Sequence, residues 1–134
     1  MRYLAIGDIH GCSTALFALA KHVPFTTDDV LITLGDYVDR GPDSRVVLDW
    51  LLERQSTGNL VALRGNHEVM MLQARESDDA LSEWLRCGGE ATLSSYSPHS
   101  NRRGLADIPA SHWQFIEEET RAWFETGTHP APAA

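Results

Sequence analysis

The sequence predicts an α/β fold built around a parallel sheet, and three observations carry that expectation. Short apolar runs recur at Tyr3-Leu4-Ala5-Ile6, Val30-Leu31-Ile32-Thr33-Leu34 and Leu60-Val61-Ala62-Leu63. Each is followed by a polar, glycine-bearing loop and then by apolar residues at helical spacing. The repeat takes about 30 residues, the length of a βαβ unit. Runs without polar alternation predict strands buried on both faces, with helices on either side of the sheet.

Taken in order, the first run leads through Gly7–Gly11 to Ser13, a residue type that caps helices, and to Leu16, Phe17, Leu19 and Ala20. That helix should end near Pro24. The second run leads through Gly35–Gly41 to Pro42, which suits a first helical position, and to an apolar stripe at Val46, Val47, Trp50 and Leu51. The third leads through Arg64–Glu68 to a helix carrying Met70, Met71 and Leu72. Residues 76–125 read as a small helical cap on the sheet. One helix covers 78–86, with Leu81, Trp84 and Leu85 inward, and is broken at Gly88-Gly89. Another follows Pro109 with Trp113, Phe115, Ile116, Trp123 and Phe124. Residues 127–134, with Pro130, Pro132 and three alanines, read as a disordered tail. The expected boundaries are one domain over 1–126 and the tail over 127–134.

Composition narrows the function. The 134 residues suffice for one core, and 43% apolar with 22% charged residues is ordinary for a globular protein. The formal net charge of −8 argues against nucleic acid or anionic membrane as partner, since both repel an acidic surface. No apolar run approaches the roughly 20 residues of a membrane helix, and the first residues lack the apolar stretch of a secretory signal. Cys12 and Cys87 read as reduced, partly buried thiols of a cytoplasmic protein.

The chemistry sits in the three loops, Gly7-Asp8-Ile9-His10-Gly11, Gly35-Asp36-Tyr37-Val38-Asp39-Arg40-Gly41 and Gly65-Asn66-His67-Glu68. Each lies at the carboxyl end of a predicted strand, the edge where open parallel sheets bind ligands. Asp8, His10, Asp36, Asp39, Arg40, Asn66 and His67 should therefore share one rim. Carboxylates with imidazole suit Mn, Fe or Zn better than Ca or Cu(I). Asp8 and His10, two apart, can face one ion. Asp36 could bridge to a second, and Asn66 could supply that ion a neutral oxygen. Two ions about 3.5–4 Å apart can hold a shared hydroxide for in-line attack on phosphorus.

Each residue alone has a plainer role. A Gly-Asp pair makes turns. Asp39 and Arg40 could be a surface ion pair. Asn66 could cap its helix, and Glu68 could simply meet the positive helix end. Three such loops, each after a strand at near-equal spacing, outweigh those roles together.

The three motifs resemble those of the phosphoprotein phosphatase family of calcineurin-like metallophosphoesterases. The match is specific across 7–68 and extends loosely through Gly88-Gly89-Glu90-Ala91-Thr92-Leu93, which is similar to the bacterial and phage serine/threonine phosphatase branch. The resemblance implies a metallophosphoesterase sheet sandwich with flanking helices, of which this chain holds the N-terminal part. It implies two divalent ions in a full-length parent. Asp8, His10 and Asp36 would hold the first, and Asp36 and Asn66 the second. His67, oriented by Asp39, would protonate the leaving oxygen, and Arg40 would hold the phosphate. A histidine tuned by a carboxylate suits that task near neutral pH, and arginine offers phosphate a bidentate fork. Arg64 reads as structural, paired with a loop carboxylate.

Family members continue further, with two more histidine ligands and another arginine from later loops. The remaining histidines here, His22, His99, His112 and His129, follow no convincing strand. The stretch Trp123-Phe124-Glu125-Thr126 resembles one that precedes a strand ending in a ligand histidine, so a truncation or frameshift near 126–129 is expected. The lost half would leave an apolar sheet face exposed and the second ion weakly held. The implied activity is hydrolysis of phosphoserine or phosphothreonine by a metal-activated hydroxide. Two alternatives remain open. One is a hydrolase of dinucleoside polyphosphates, against which Asp39-Arg40 and Glu68 speak. The other is an inactive metal-binding remnant.

Overall fold

The three apolar runs pair as parallel strands in the order β1-β2-β3, with β1 over Tyr3–Ile6, β2 over Val30–Thr33 and β3 over Leu60–Ala62. The computed structural model describes residues 2–98 and 104–125. The disordered tail expected over 127–134, with His99 and His129, lies outside the described residues. Leu34 and Leu63 fall just beyond the strands, although their N–H groups still reach the Ile6 and Thr33 carbonyls of the neighbouring strands.

Helices α1 (Ser13–His22), α2 (Ser44–Thr57) and α3 (Asn66–Gln73) follow the three loops. The register places Leu4, Ile6, Leu31, Thr33, Leu60 and Ala62 on one sheet face. Their apolar members pack into a core with Leu16 of α1, Val47, Leu48 and Leu51 of α2, and Met71 of α3. The other face carries Tyr3, Ala5, Val30, Ile32 and Val61, and none of these joins that core. Tyr3 is 42% exposed and Leu34 49%. The expected cover of helices on both sides is thus corrected. Among the described residues helices close one face, while the other is largely apolar, with Val61 on it buried and the Phe124 ring 6.4 Å from that of Tyr3. Apolar strands record that both faces are suited to burial, not what buries them.

Local details shift for similar reasons. In α1 only Leu16 is deeply buried among the expected residues, while Phe17 and Leu19 face solvent. Cys12, not Ser13, stands at the N-cap, and the Ser13 hydroxyl donates instead to the Asp43 carboxylate at 2.7 Å, tying α1 to the start of α2. The α2 stripe turns toward Leu48, leaving Val46 and Trp50 half-buried. Cys12 is exposed rather than partly buried, and both cysteines are free.

Beyond α3 come α4 (Asp78–Trp84), a wide helical turn over Leu85–Gly89, and α5 (Glu90–Tyr96), for which the sequence carries no clear helical pattern. The break expected at Gly88-Gly89 is a bend at Gly88, φ 114°, after which the chain resumes helix. A short turn at Leu105–Asp107 leads to α6 (Ala110–Gln114), which widens over Phe115–Glu119 and stops. Phe115 and Ile116 are buried, but Trp123 lies outside any helix and is 58% exposed. These helices pack on α3 and α2 rather than on the open sheet face. Arg121 extends the β3 edge, its N–H reaching Ala62 and its carbonyl accepting from Arg64, both at 2.8 Å. Among the described residues no helix is long and apolar enough to cross a membrane.

Candidate metal centre

The three loops leave the carboxyl ends of their strands and bind one another through the main chain. The His10 N–H donates to the Asp36 carbonyl at 2.9 Å, and the Gly11 N–H to the Tyr37 carbonyl at 2.8 Å. The second and third loops meet so closely that a Cβ on Gly65 would stand 2.3 Å from Asp36 Oδ1. Tyr37, wholly buried, donates its hydroxyl to the Leu63 carbonyl at 2.6 Å and pins the ends of β2 and β3 together. Burial pushes that hydroxyl's pKa far above the ordinary phenol range.

Glu68 joins the same loops from within. Its Oε1 accepts the N–H groups of Asp36 at 2.6 Å and Gly65 at 3.0 Å, and its Oε2 accepts that of Tyr37 at 2.9 Å. Burial raises its pKa, and the main-chain donors offset part of that rise. Glu68 does meet the helix end, accepting the Gly65 N–H there, and it also clasps the second loop through Asp36 and Tyr37. Its partners at positions 36 and 37 leave no trace in a local pattern.

The consequence is strain concentrated at one place. Asp8, His10, Asp36, Asp39 and Arg40 all hold positive φ, between 42° and 78°, and among the described residues no other non-glycine does. Such conformations persist only where the surroundings over-determine them, and they cluster at functional sites.

Within this frame one ligand atom each of Asp8, His10 and Asp36 lies within 4.8 Å of the others. The His10 Nδ1–H donates to the Val38 carbonyl at 2.9 Å, which leaves Nε2 as the ring's free lone pair. Two carboxylates and an imidazole so oriented, with no cationic side chain bonded to them among the described residues, fit a divalent ion that would relieve their repulsion. Asn66 is exposed at the first position of α3, and the neighbouring His67 N–H is capped by Asp36 Oδ1 at 3.1 Å. Asn66 is therefore not the cap of its helix. Arg40 is exposed on the second loop, with its N–H held by the Gly88 carbonyl at 3.2 Å.

His67 is 4% exposed, and its ring stands edge-on to that of His10 with centroids 4.8 Å apart. His67 Nδ1 meets Asp39 Oδ2 at 2.7 Å. Asp39 is completely buried, which raises its pKa, while donors from His67, Thr92 and Trp84 pull it back. Among the described residues Asp39 makes no ion pair with Arg40, the plainer role set aside above, and its carboxylate turns inward to His67. Among the described residues Arg64 has no carboxylate partner, contrary to the expected pairing with a loop carboxylate. Its Nε donates to Thr120 Oγ1 at 2.8 Å and its Nη2 to the Glu117 carbonyl at 2.6 Å. His22 is exposed at the end of α1. His112 is buried between the Tyr96 hydroxyl at 2.6 Å and Asp49 Oδ1 at 2.7 Å, and neither histidine approaches the site.

Comparison with known proteins adds sequence to geometry. The family model for Calcineurin-like phosphoesterase matches residues 1–127. Serine/threonine-protein phosphatase 1 of Salmonella typhimurium is 43% identical over 86 residues, which cover 63% of this chain and 38% of that protein. The symmetrical bis(5'-nucleosyl)-tetraphosphatase of Chromobacterium violaceum is 34% identical over 106 residues, 65% of this chain and 38% of that one. A crystal structure of a proposed diadenosine tetraphosphatase superposes with a TM-score of 0.58 at 24% identity, over 87% of this chain and 41% of that chain, and shares the fold. The chain thus spans about two fifths of the length of these curated relatives.

Proposed function

The chain belongs to the calcineurin-like phosphoesterase family, and from that premise we propose that it carries the first metal site and the proton donor of a phosphoester hydrolase. Phosphoserine or phosphothreonine in proteins is the preferred substrate. The observation that supports this most is the meeting of two sets at one sheet edge. One is Asp8, His10 and Asp36; the other is His67 on Asp39, with the rings of His10 and His67 in contact.

In this proposal Asp8, His10 and Asp36 hold one divalent ion, and Asp36 with Asn66 contributes to a second, completed by ligands of a longer parent. Manganese suits the donor set best, with iron or zinc as substitutes. Such ions polarise phosphoryl oxygens and lower the pKa of bound water. The protein's own residues do the rest. Arg40, exposed on the rim, receives phosphoryl oxygens in its guanidinium fork. His67, its Nδ1–H given to Asp39, takes up a proton from solvent at Nε2 and delivers that proton to the leaving oxygen. We assign residues 1–126 to the N-terminal part of the domain, with 76–125 as a helical cap, and place the protein in the cytoplasm.

A second reading, hydrolysis of dinucleoside polyphosphates, is favoured by one observation. The match to the tetraphosphatase runs over 106 residues, against 86 for the phosphatase. The test is Mn²⁺-dependent hydrolysis of a phosphoserine peptide and of diadenosine tetraphosphate, with His67→Asn beside the wild type. The proposal expects faster peptide turnover, and a drop in His67→Asn of about 10²–10⁴-fold with bound metal unchanged. Preference for the dinucleotide, or loss of metal from His67→Asn, would refute it.

A further inference from the structure

Asp39 sits at the centre of a closed hydrogen-bond net supplied by the segment after the three motifs. The Trp84 indole N–H, a donor only, points between the two carboxylate oxygens, 3.0 Å from Oδ1 and 2.9 Å from Oδ2. The Thr92 hydroxyl donates to Oδ1 at 2.7 Å and accepts the N–H of Asp39 itself at 2.8 Å. Ser44 Oγ stands 3.2 Å from the same N–H and 3.1 Å from the Thr92 hydroxyl. Asp39, Ser44, Trp84 and Thr92 are all fully buried.

The spacing of the segment builds this net. Trp84 ends α4 and Thr92 lies in α5, on either side of the bend at Gly88. A Cβ on Gly89 would stand 2.4 Å from the Trp84 ring, so the bare backbone seats the indole. A Cβ on Gly88 would stand 3.0 Å from Arg40 N, and the Gly88 carbonyl holds that same N–H. The bend thus grips Asp39 and Arg40 from behind.

We propose that Trp84 and Thr92 are positioning residues that act through Asp39 to set the tautomer and aim of His67. The inference rests on the role given to His67 above. With Oδ1 engaged by Thr92 and both oxygens by Trp84, the carboxylate has one orientation, and Oδ2 is left to accept from His67 Nδ1. The neutral ring is then the Nδ1–H tautomer, with its Nε2 lone pair toward the reaction space. The hydroxyl of Thr92 carries this, not its bulk: Oδ1 would otherwise lose its short donor, and the Asp39 main chain, at φ 78°, would lose its nearest acceptor. Residues that only filled the core would be indifferent to that hydroxyl.

The test is nitrogen-15 NMR of the histidine rings in the metal-free 134-residue chain, with His67 signals assigned from His67→Asn. The wild type should show one neutral tautomer, protonated at Nδ1, with a downfield proton signal. Thr92→Val, close in shape but without the hydroxyl, should lose that proton signal and show mixed tautomers. Thr92→Ser should restore the wild-type pattern, and Trp84→Phe should weaken it in the same direction as Thr92→Val. Folded Thr92→Val and Trp84→Phe chains that both keep the wild-type tautomer overturn the proposal. If Thr92→Val does not fold, Trp84→Phe decides alone. Because the readout needs no turnover, a chain that shows these shifts yet hydrolyses nothing refutes the proposed function and leaves the positioning role standing.

Discussion

Replacing Glu68 by glutamine tests whether one buried carboxylate clasps the metal-bearing loops. The carboxylate accepts three short main-chain N–H bonds, from Asp36, Gly65 and Tyr37, and a longer one of 3.4 Å from Val38. A glutamine oxygen can serve one side of this arrangement, while its amide nitrogen faces donors on the other. At about 1.5–3 kcal/mol for each hydrogen bond to a charged group, two lost bonds cost roughly 3–6 kcal/mol. Relief from burying a charge returns part of that, since burial already raises the Glu68 pKa. The expected net loss is about 2–4 kcal/mol, a large share of the 5–15 kcal/mol that stabilises a typical domain. Because Asp36 is both held by Glu68 and part of the metal site, affinity for Mn²⁺ should fall by about 10–100-fold, as when other ligand supports are removed. Chemical denaturation and titration calorimetry on the same preparation report both effects. Wild-type stability together with wild-type metal affinity in Glu68→Gln would refute the clasp.

Two further perturbations probe the frame. Gly41→Ala puts a Cβ 2.0 Å from the His10 carbonyl oxygen. It should cost at least ~1–3 kcal/mol as the first two loops are forced apart, measured by denaturation, and a neutral result would contradict their contact. Asp29→Asn addresses pH. Arg2 beside Asp29, at 2.8 Å, holds that carboxyl well below the usual carboxylate range. The folded chain therefore releases this proton more readily than the unfolded one. The stabilisation is present above the ordinary aspartate pKa and is lost as pH falls through the depressed folded value. Stability measured against pH should show a shallower acid limb in Asp29→Asn and a lower plateau near neutrality. An unchanged acid limb would remove Asp29 from the account.

The sequence reveals what repeats locally and hides what meets across the chain. Three strands, three loops and their helices were legible because apolar runs and glycines announce themselves at fixed spacing. Asp8, His10 and Asp36 were foreseeable as neighbours because parallel strands deliver their following loops to one edge. The Asp39–His67 contact came from family resemblance alone. Glu68 and Thr92 were missed as parts of the site because their partners lie 31 to 53 residues away and depend on loop geometry. Trp84 was foreseen as inward, but an amphipathic pattern reports burial and not the target of an indole N–H. An exposed apolar sheet face was implied by the resemblance, whereas the strands alone pointed to helices on both sides. Val30 and Ile32 declare that their face is apolar, and nothing in their spacing names its cover. α5 was overlooked because glycines stand just before it and serines fill it, both weak helix formers, while its packing on α2 supplies what propensity does not.

If Asp8, His10 and Asp36 form a metal site in this chain, its binding of Mn²⁺ must depend on Asp36. Calorimetric titration of Mn²⁺ into the metal-free protein, beside Asp36→Asn, tests it most directly. Saturable binding is expected in the wild type and loss of most of it in the variant, with both chains equally folded by circular dichroism. Equal Mn²⁺ binding by the two chains, or none by a folded wild type, would contradict it.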